Sequence, residues 1–378
     1  MADAVLSAGQ DIDRTLVVVF LRGGADGLSL VPPVGDDGYH RARPHLAVPT
    51  AKALRLDELF SLHPSLHEMH ELYQQGTLAV VHAAGSEDES RSHFEAQDLM
   101  EHGGADVAGG WIGRWLRSRQ ADDARIGGTL SAISLGDELQ ESLRGSPTAT
   151  ALRALAQLDR SSEAQLLHAQ LAALYRPDAL LAEAAASALA AATRIATLQA
   201  TAYQPRPSAR YAERKDGDLA VAFSRDLSRV AQLIKARAGL VVACIDLGNW
   251  DSHFIQEQLL EPRMRALSQG LGAFANDLGE LLASTTVVVM SEFGRRVREN
   301  ASLGTDHGRG GAMFVLGGGT PGGMHCDWPG LHDSALDGPG DLPVVHNYRD
   351  VLAAVLARHG SRDPGSVFPD HPQRPLHV

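Results

Sequence analysis

Five short stretches of the chain combine acids, histidines or arginines with small turn-forming residues. They are Arg22-Gly23-Gly24-Ala25-Asp26, Arg91-Ser92-His93, Trp250-Asp251-Ser252-His253, Ser291-Glu292-Phe293-Gly294-Arg295 and Thr305-Asp306-His307-Gly308. Asp251 and His253 pair a carboxylate with an imidazole, and Asp306 and His307 do so again. Carboxylate oxygen and imidazole nitrogen both bind zinc, manganese or iron at about 2.0 to 2.2 Å, so the two pairs read as ligands of a divalent metal. Taken alone, Asp251 could instead cap a helix, with His253 packed beneath it. Glu292 is either a further ligand or the ion-pair partner of Arg295 or Arg296. Arg295 either presents a bidentate fork to phosphate or sulfate oxygens or lies solvated on the surface. Ser92 is a metal-activated nucleophile or an N-cap, and the two roles are compatible. His93 could be an acid/base group or an interface residue. Asp26 reads as a turn residue whose place just beyond the first apolar run gives it a functional option.

The elements that would carry these residues are visible as apolar runs. Leu16–Leu21, Leu78–Ala84, Leu240–Ile245, Thr285–Met290 and Ala312–Leu316 are expected strands buried on both faces. Helices are expected over Pro64–Gln75, from His93 through Met100, over Leu259–Leu282 and over Asp350–His359. The strand–helix–strand succession from Leu240 to Met290 matches the crossover unit of a parallel sheet. Ligands of such sheets bind beyond the carboxyl ends of the strands. All five polar stretches fall there, on one edge of one sheet. Residues 138–237 are rich in Ala, Leu and Gln, with breaks at Pro177, Pro205 and Pro207, and are expected to form a helical insertion. The whole, 1–378, reads as a single α/β domain built on a doubly wound, mainly parallel sheet.

A formal net charge of −12 argues against nucleic acid or an anionic membrane surface as the main target. A small anionic ester remains compatible, because local arginines override the global sign. Two cysteines make no disulfide framework, and Cys244 lies inside an apolar run as a core residue. No apolar stretch approaches membrane-spanning length. The N-terminus shows no basic region followed by an apolar run. The expectation is therefore a cytoplasmic protein, or an exported one whose leader was removed, a twin-arginine leader if the family resemblance given below holds. The oligomeric state does not follow from these residues.

As a set, LVVVFLRGGADGL (Leu16–Leu28), RSHFEAQD (Arg91–Asp98), WDSH (Trp250–His253), SEFGRRV (Ser291–Val297) and TDHGRGGAMFVLGG (Thr305–Gly318) resemble the domain-of-unknown-function 1501 family of bacterial proteins. That family looks like a branch of the alkaline phosphatase and sulfatase superfamily. The resemblance implies a doubly wound sheet, usually two metal ions, and a Ser, Thr or modified Cys nucleophile. It further implies Asp26 on one metal, Ser92 as nucleophile, and Asp251 with His253 on the other metal. The superfamily's next strand ends Ser-Asp-His-Gly, where this chain has Ser291-Glu292-Phe293-Gly294. Phe293 cannot ligate. One site, Asp251, His253 and His307, would survive. The other would keep Asp26, Glu292 and Ser92. In an alternative alignment Asp306-His307 is itself the Asp-His pair and His325 the last histidine. The clear apolar run before SEFG favours the first.

Three functions follow as expectations. The leading one is a hydrolase of phosphate or sulfate esters dependent on zinc or manganese, one ion or two, with Arg295 on a nonbridging oxygen. The second is a non-catalytic member that keeps one metal and binds a partner. The third is a metal-free serine hydrolase with His93 or His307 as base, against which the absence of a GxSxG elbow counts.

Overall fold

The computed structural model describes residues 13–376, apart from 105–106, 147, 153–169, 171–172, 174–178 and 201–202. Its strands in chain order are β1 (Thr15–Leu21), β2 (Leu54–Arg55), β3 (Ser61–Leu62), β4 (Leu78–Gly85), β5 (Ala132–Ser134), β6 (Ala149–Ala151), β7 (Val242–Leu247), β8 (Thr285–Met290), β9 (Gly311–Gly317), β10 (Gly323–His325) and β11 (His346–Asn347). β2 and β3 form a separate ribbon. The other nine make one sheet in the order β10-β4-β9-β8-β1-β7-β5-β6, with β11 also beside β4. Every neighbouring pair is parallel except the two that β9 makes with β4 and β8. The protein is thus α/β, with a mostly parallel sheet and one reversed strand.

β1 is central because it is apolar on both sides. All seven of its residues are buried, and Val18 stands opposite Cys244 on β7 and Val288 on β8. Strand side chains alternate between faces. Val17, Val19 and Leu21 enter one core, and Leu16, Val18 and Phe20 enter another. The first core is closed by α1 (His67–Gln74), α5 (Asp218–Lys235) and α6 (Gln256–Leu278), through Met69, Leu227 and Leu271. The second is closed by α2 (His93–His102), α3 (Trp111–Arg119) and α7 (Tyr348–Arg358), through Met100, Trp115 and Leu352. Cys244 is buried in this second core.

The expected helix Leu259–Leu282 starts earlier, at Gln256, and gives way to a 3₁₀ turn at Gly279. Gly279 has φ +57, a conformation that ends an α-helix and suits glycine. Within 138–237, α4 (Ala179–Ala200) and α5 are helical, but Ala149–Ala151 joins the sheet edge as β6. α5 lies against α6 and contributes Phe223, Leu227 and Val230 to the first core. The remainder of that stretch, from 153, lies partly outside the described residues. No helix among the described residues is long and apolar enough to cross a membrane.

His82 on β4 is fully buried. Its Nε2–H donates to the Val31 carbonyl at 3.0 Å, and its Nδ1 accepts from the Ala83 N–H at 2.7 Å. Acceptance by Nδ1 needs the neutral ring, and burial pushes its pKa down to about 4. An unfolded histidine titrates near 6.5, so between about 6.5 and 4 the unfolded chain takes up a proton that the folded chain refuses. Stability contributed by neutral His82 is therefore present at pH 7 and lost as pH falls through that window. In urea unfolding the midpoint should decline from pH 7 to pH 4.5, and His82→Gln should make that decline shallower. An identical slope in the variant refutes the assignment.

Candidate functional site

The carboxyl ends of β1, β4, β7 and β8 lie at one edge of the sheet. Because β9 is reversed, its amino end lies there too. The segment leading into β9 therefore meets the loop leaving β8, and Arg295 and His307 pair as an isolated antiparallel bridge. This brings His307 to the edge from the opposite chain direction. β7 delivers Asp251 and His253 through a loop in which Asn249 has φ +66. α2 delivers His93 at its first turn.

Close approach explains the glycines after β1. Gly23 has φ +119, and a Cβ there would lie 2.6 Å from the Asp251 nitrogen. Gly24 has φ +63, and a Cβ there would lie 2.3 Å from the Phe293 ring. The backbone approach that the glycines permit is thus to the neighbouring loop and to Phe293.

Three side chains converge as a group able to hold a metal ion. The ligand atoms of His93, Asp251 and His307 all lie within 4.8 Å of one another. His253 flanks them, with its Nε2 3.0 Å from His307 Nε2 and 3.1 Å from Asp251 Oδ1. The outward nitrogens of two of these rings are committed. His93 Nδ1 donates to Glu292 Oε1 at 2.8 Å, and His307 Nδ1 donates to the Arg91 carbonyl at 2.8 Å. A neutral ring carries one proton, so with both rings neutral each Nε2 turns a lone pair inward; the bond to Glu292 raises the His93 pKa, so this ring holds a second proton, on Nε2, more readily than a free histidine. His93 Nε2 is buried, lies 3.5 Å from Asp251 Oδ2 and makes no hydrogen bond. His307 Nε2 faces Asp251 Oδ1 at 3.3 Å. Burial would raise the Asp251 carboxyl, but Arg295 and the neighbouring His253 hold it down at about 2. Burial keeps the His307 pKa below its usual value, which favours the neutral ring. The Asp251 carboxylate facing these nitrogens is balanced either by a proton on His93 Nε2 or by a cation held between them. The nitrogen-and-oxygen donor set suits zinc or manganese.

Glu292 is fully buried and stands behind His93. Its Oε1 accepts from His93 Nδ1, Gln97 Nε2 and the Gly23 N–H, each at 2.8 Å. Burial opposes its ionisation, but the bonds from His93 and Gln97 lower it to about 2. Ligation by Glu292 gives way to orientation of His93. α2 supports this with one face at four-residue spacing: His93, Gln97 and Glu101. Glu101 accepts two bonds from the Arg22 guanidinium, at 2.8 and 3.1 Å. Gln97 and Glu101 were not among the expected site residues. Their signal was the four-residue repeat after His93.

Arg295 is 1% exposed and also differs from expectation. It donates to the carbonyls of Gly24, Gly23 and Thr305 at 2.7, 2.6 and 3.0 Å, and to Asp251 Oδ1 at 2.7 Å. A guanidinium committed in this way fixes Asp251 and has no fork to offer an ester oxygen. Asp306 stands behind His253, 3.5 Å from its Nδ1, and not in the converging group. Ser92 caps α2, its hydroxyl accepting from the Glu95 N–H at 3.5 Å, one residue from His93.

Asp26 is placed elsewhere. It is fully buried, caps the turn Gly27–Leu30, and binds Arg43 at 2.5 and 3.1 Å, Ser29 at 2.6 Å and Gln256 at 2.6 Å. Burial opposes its charge, and Arg43 more than compensates, so its pKa falls below normal. With both oxygens occupied, it is a structural anchor and not a ligand. His325 lies on β10, paired with β4 rather than beside His307. Phe293 is buried with its ring centroid 5.0 Å from His93 and 4.8 Å from His307. It faces the site and forms an apolar wall behind two imidazoles. His93, arriving from α2, brings the group an imidazole that this position lacks.

An α/β protein with histidines and an acid gathered at the carboxyl edge of its sheet is thereby defined. Residues 13–378 match the family described as "Protein of unknown function (DUF1501)", and the chain belongs to that family. No curated protein matches it in sequence. Among solved structures, a histidine-to-glutamate mutant of TAB5 alkaline phosphatase with Mg bound in its M3 site is similar at 11% identity and a TM-score of 0.34. That similarity covers 82% of this chain and 93% of the other.

Removing one member of a buried ion pair strands the other, at a cost of about 3 to 5 kcal/mol. Arg43→Met should therefore lower unfolding stability by that order, read from denaturant midpoints. A loss below about 1 kcal/mol, no more than an exposed pair contributes, would contradict the anchoring role of Asp26.

Proposed function

We propose that this protein is a metal-dependent hydrolase of phosphate or sulfate esters. The observation that carries the proposal is the convergence of two imidazole nitrogens and a carboxylate at His93, His307 and Asp251. These three residues would hold the ion, with His253 beside them. When bound, zinc or manganese supplies Lewis-acid polarisation of the ester oxygen and lowers the pKa of a neighbouring hydroxyl or water.

The chain's own groups have separable roles in this reading. Glu292, itself held by Gln97, takes the Nδ1 proton of His93 in a hydrogen bond and so turns Nε2 toward the ion, which would displace any proton there. Arg295 holds Asp251 ionised and fixes its direction. Phe293 excludes water from the back of His93 and His307. Ser92, at the start of α2, is the proposed nucleophile. Its oxygen would form the bond to phosphorus or sulfur while the ester oxygen leaves with a proton, and water then frees the serine. A water molecule attacking directly is the alternative that Ser92→Ala distinguishes. A second reading, a metal-binding protein without turnover, draws on Phe293 occupying a position where a further histidine ligand would stand.

Elemental analysis of the purified protein, followed by aryl phosphate and aryl sulfate assays with added zinc or manganese, tests the proposal. A bound ion and metal-dependent turnover, both lost in Asp251→Asn, are expected. A bound ion without turnover on either ester selects the second reading, and no ion at all defeats both. Positioning groups behind metal-bound histidines commonly contribute about 10- to 100-fold in affinity. Glu292→Gln should weaken zinc binding by that order in a competition titration, while His325→Ala should leave it unchanged. Equal effects of the two variants would argue against the His93–Glu292 arrangement.

A further inference from the structure

Among the described residues six large hydrophobic side chains are exposed, and four belong to the segments that carry the site, Phe94 (88%) in the first turn of α2 and Phe254 (57%), Ile255 (44%) and Leu303 (43%) in its loops. Phe94 directly follows His93, and Phe254 directly follows His253. Leu303 joins them because its loop is bonded to theirs. The Ile255 N–H donates to the Ser302 carbonyl at 3.0 Å, the Gln256 N–H to the Leu303 carbonyl at 2.8 Å, and Asn300 Nδ2 to the His253 carbonyl at 2.9 Å.

Two of the four also sit in a backbone conformation that disfavours them. Ile255 has φ +39 and Leu303 has φ +57. A left-handed backbone suits glycine or asparagine, and a β-branched residue there is an outlier. Turn geometry therefore does not explain the isoleucine or the leucine. Strain of this kind gathers at functional sites, held by the structure around it. Here Gln256, bonded to Asp26 and to Thr305, supplies the hold.

We propose that Phe94, Phe254, Ile255 and Leu303 form an apolar collar receiving the alkyl or aryl group of an ester whose anionic end lies at His93, Asp251 and His307. The inference rests on the hydrolase reading and narrows its substrate to amphiphilic esters. A second copy of the chain is a poorer occupant. The collar exposes on the order of 400 Å², about half of what each partner contributes to a standard interface.

Calorimetric titration of the zinc-loaded protein with methyl-, butyl- and octylphosphonate tests the collar without requiring turnover. Each buried methylene is worth up to about fourfold in affinity. Butylphosphonate adds three methylenes, so the wild-type protein should bind it about tenfold, and at most about 60-fold, more tightly than methylphosphonate. Phe94→Ser with Phe254→Ser should collapse that ratio. Leu303→Asn, which suits the left-handed backbone and so protects folding, should reduce it. A rising series without turnover on any ester keeps the collar and removes the hydrolase reading. Turnover with a flat series does the reverse. No binding of any member overturns the collar. A flat series accompanied by dimerisation that the same substitutions abolish assigns the rim to a second copy, and also overturns it.

Discussion

The carboxyl edge of this sheet depends on how one buried guanidinium is satisfied. Arg295 is almost fully enclosed, and its one carboxylate partner is Asp251. A buried cation with a single counter-ion must collect further dipoles or be expelled. It collects the carbonyls of Gly23, Gly24 and Thr305, which come from the loop after β1 and the segment before β9. Three separate turns are thereby drawn to one point, and Asp251 is held ionised at the surface of that point. The glycines at 23 and 24 follow from the same demand, since side chains there would keep the turns apart.

Two buried acids near this edge, Asp26 and Glu292, show how partner chemistry decides a role. Asp26 meets an arginine, a glutamine and a serine, and serves only to fasten β1's exit to α6. Glu292 meets a histidine, and so its charge is transmitted to the site as the orientation of a ring. Neither touches the inward-facing nitrogens. Both are buried, paired carboxylates, and only the identity of the paired residue separates scaffold from site.

Much of the fold could be read from the chain because strands buried on both faces appear as unbroken apolar runs. Leu16–Leu21 and Thr285–Met290 are examples, and the polar stretches that follow them mark the functional edge. The direction of β9 was not legible. Ala312–Leu316 is as apolar as the strands of the parallel set, and its reversal is visible only in its antiparallel pairing with β4 and β8. α3 was also missed, although Trp111, Ile112, Trp115 and Leu116 make a short apolar face. At the site, the residue types near the edge were apparent and their depth was not. Arg295 and Asp26 look like surface groups in a sequence of turns, and burial converts both into internal ties. Phe293 marked a missing ligand, but nothing local to it showed that His93, two hundred residues earlier, would stand beside it.

The central place of β1 has a consequence for synthesis. Its two neighbours, β7 and β8, are made more than two hundred residues after it. Throughout that interval an unbroken Leu-Val-Val-Val-Phe-Leu segment has neither of its edges paired. Short, uncharged β-branched segments in that condition are templates for intermolecular pairing. The nascent chain therefore carries an aggregation hazard in a strand that later lies fully buried, and its pairing in the sheet is a long-range event.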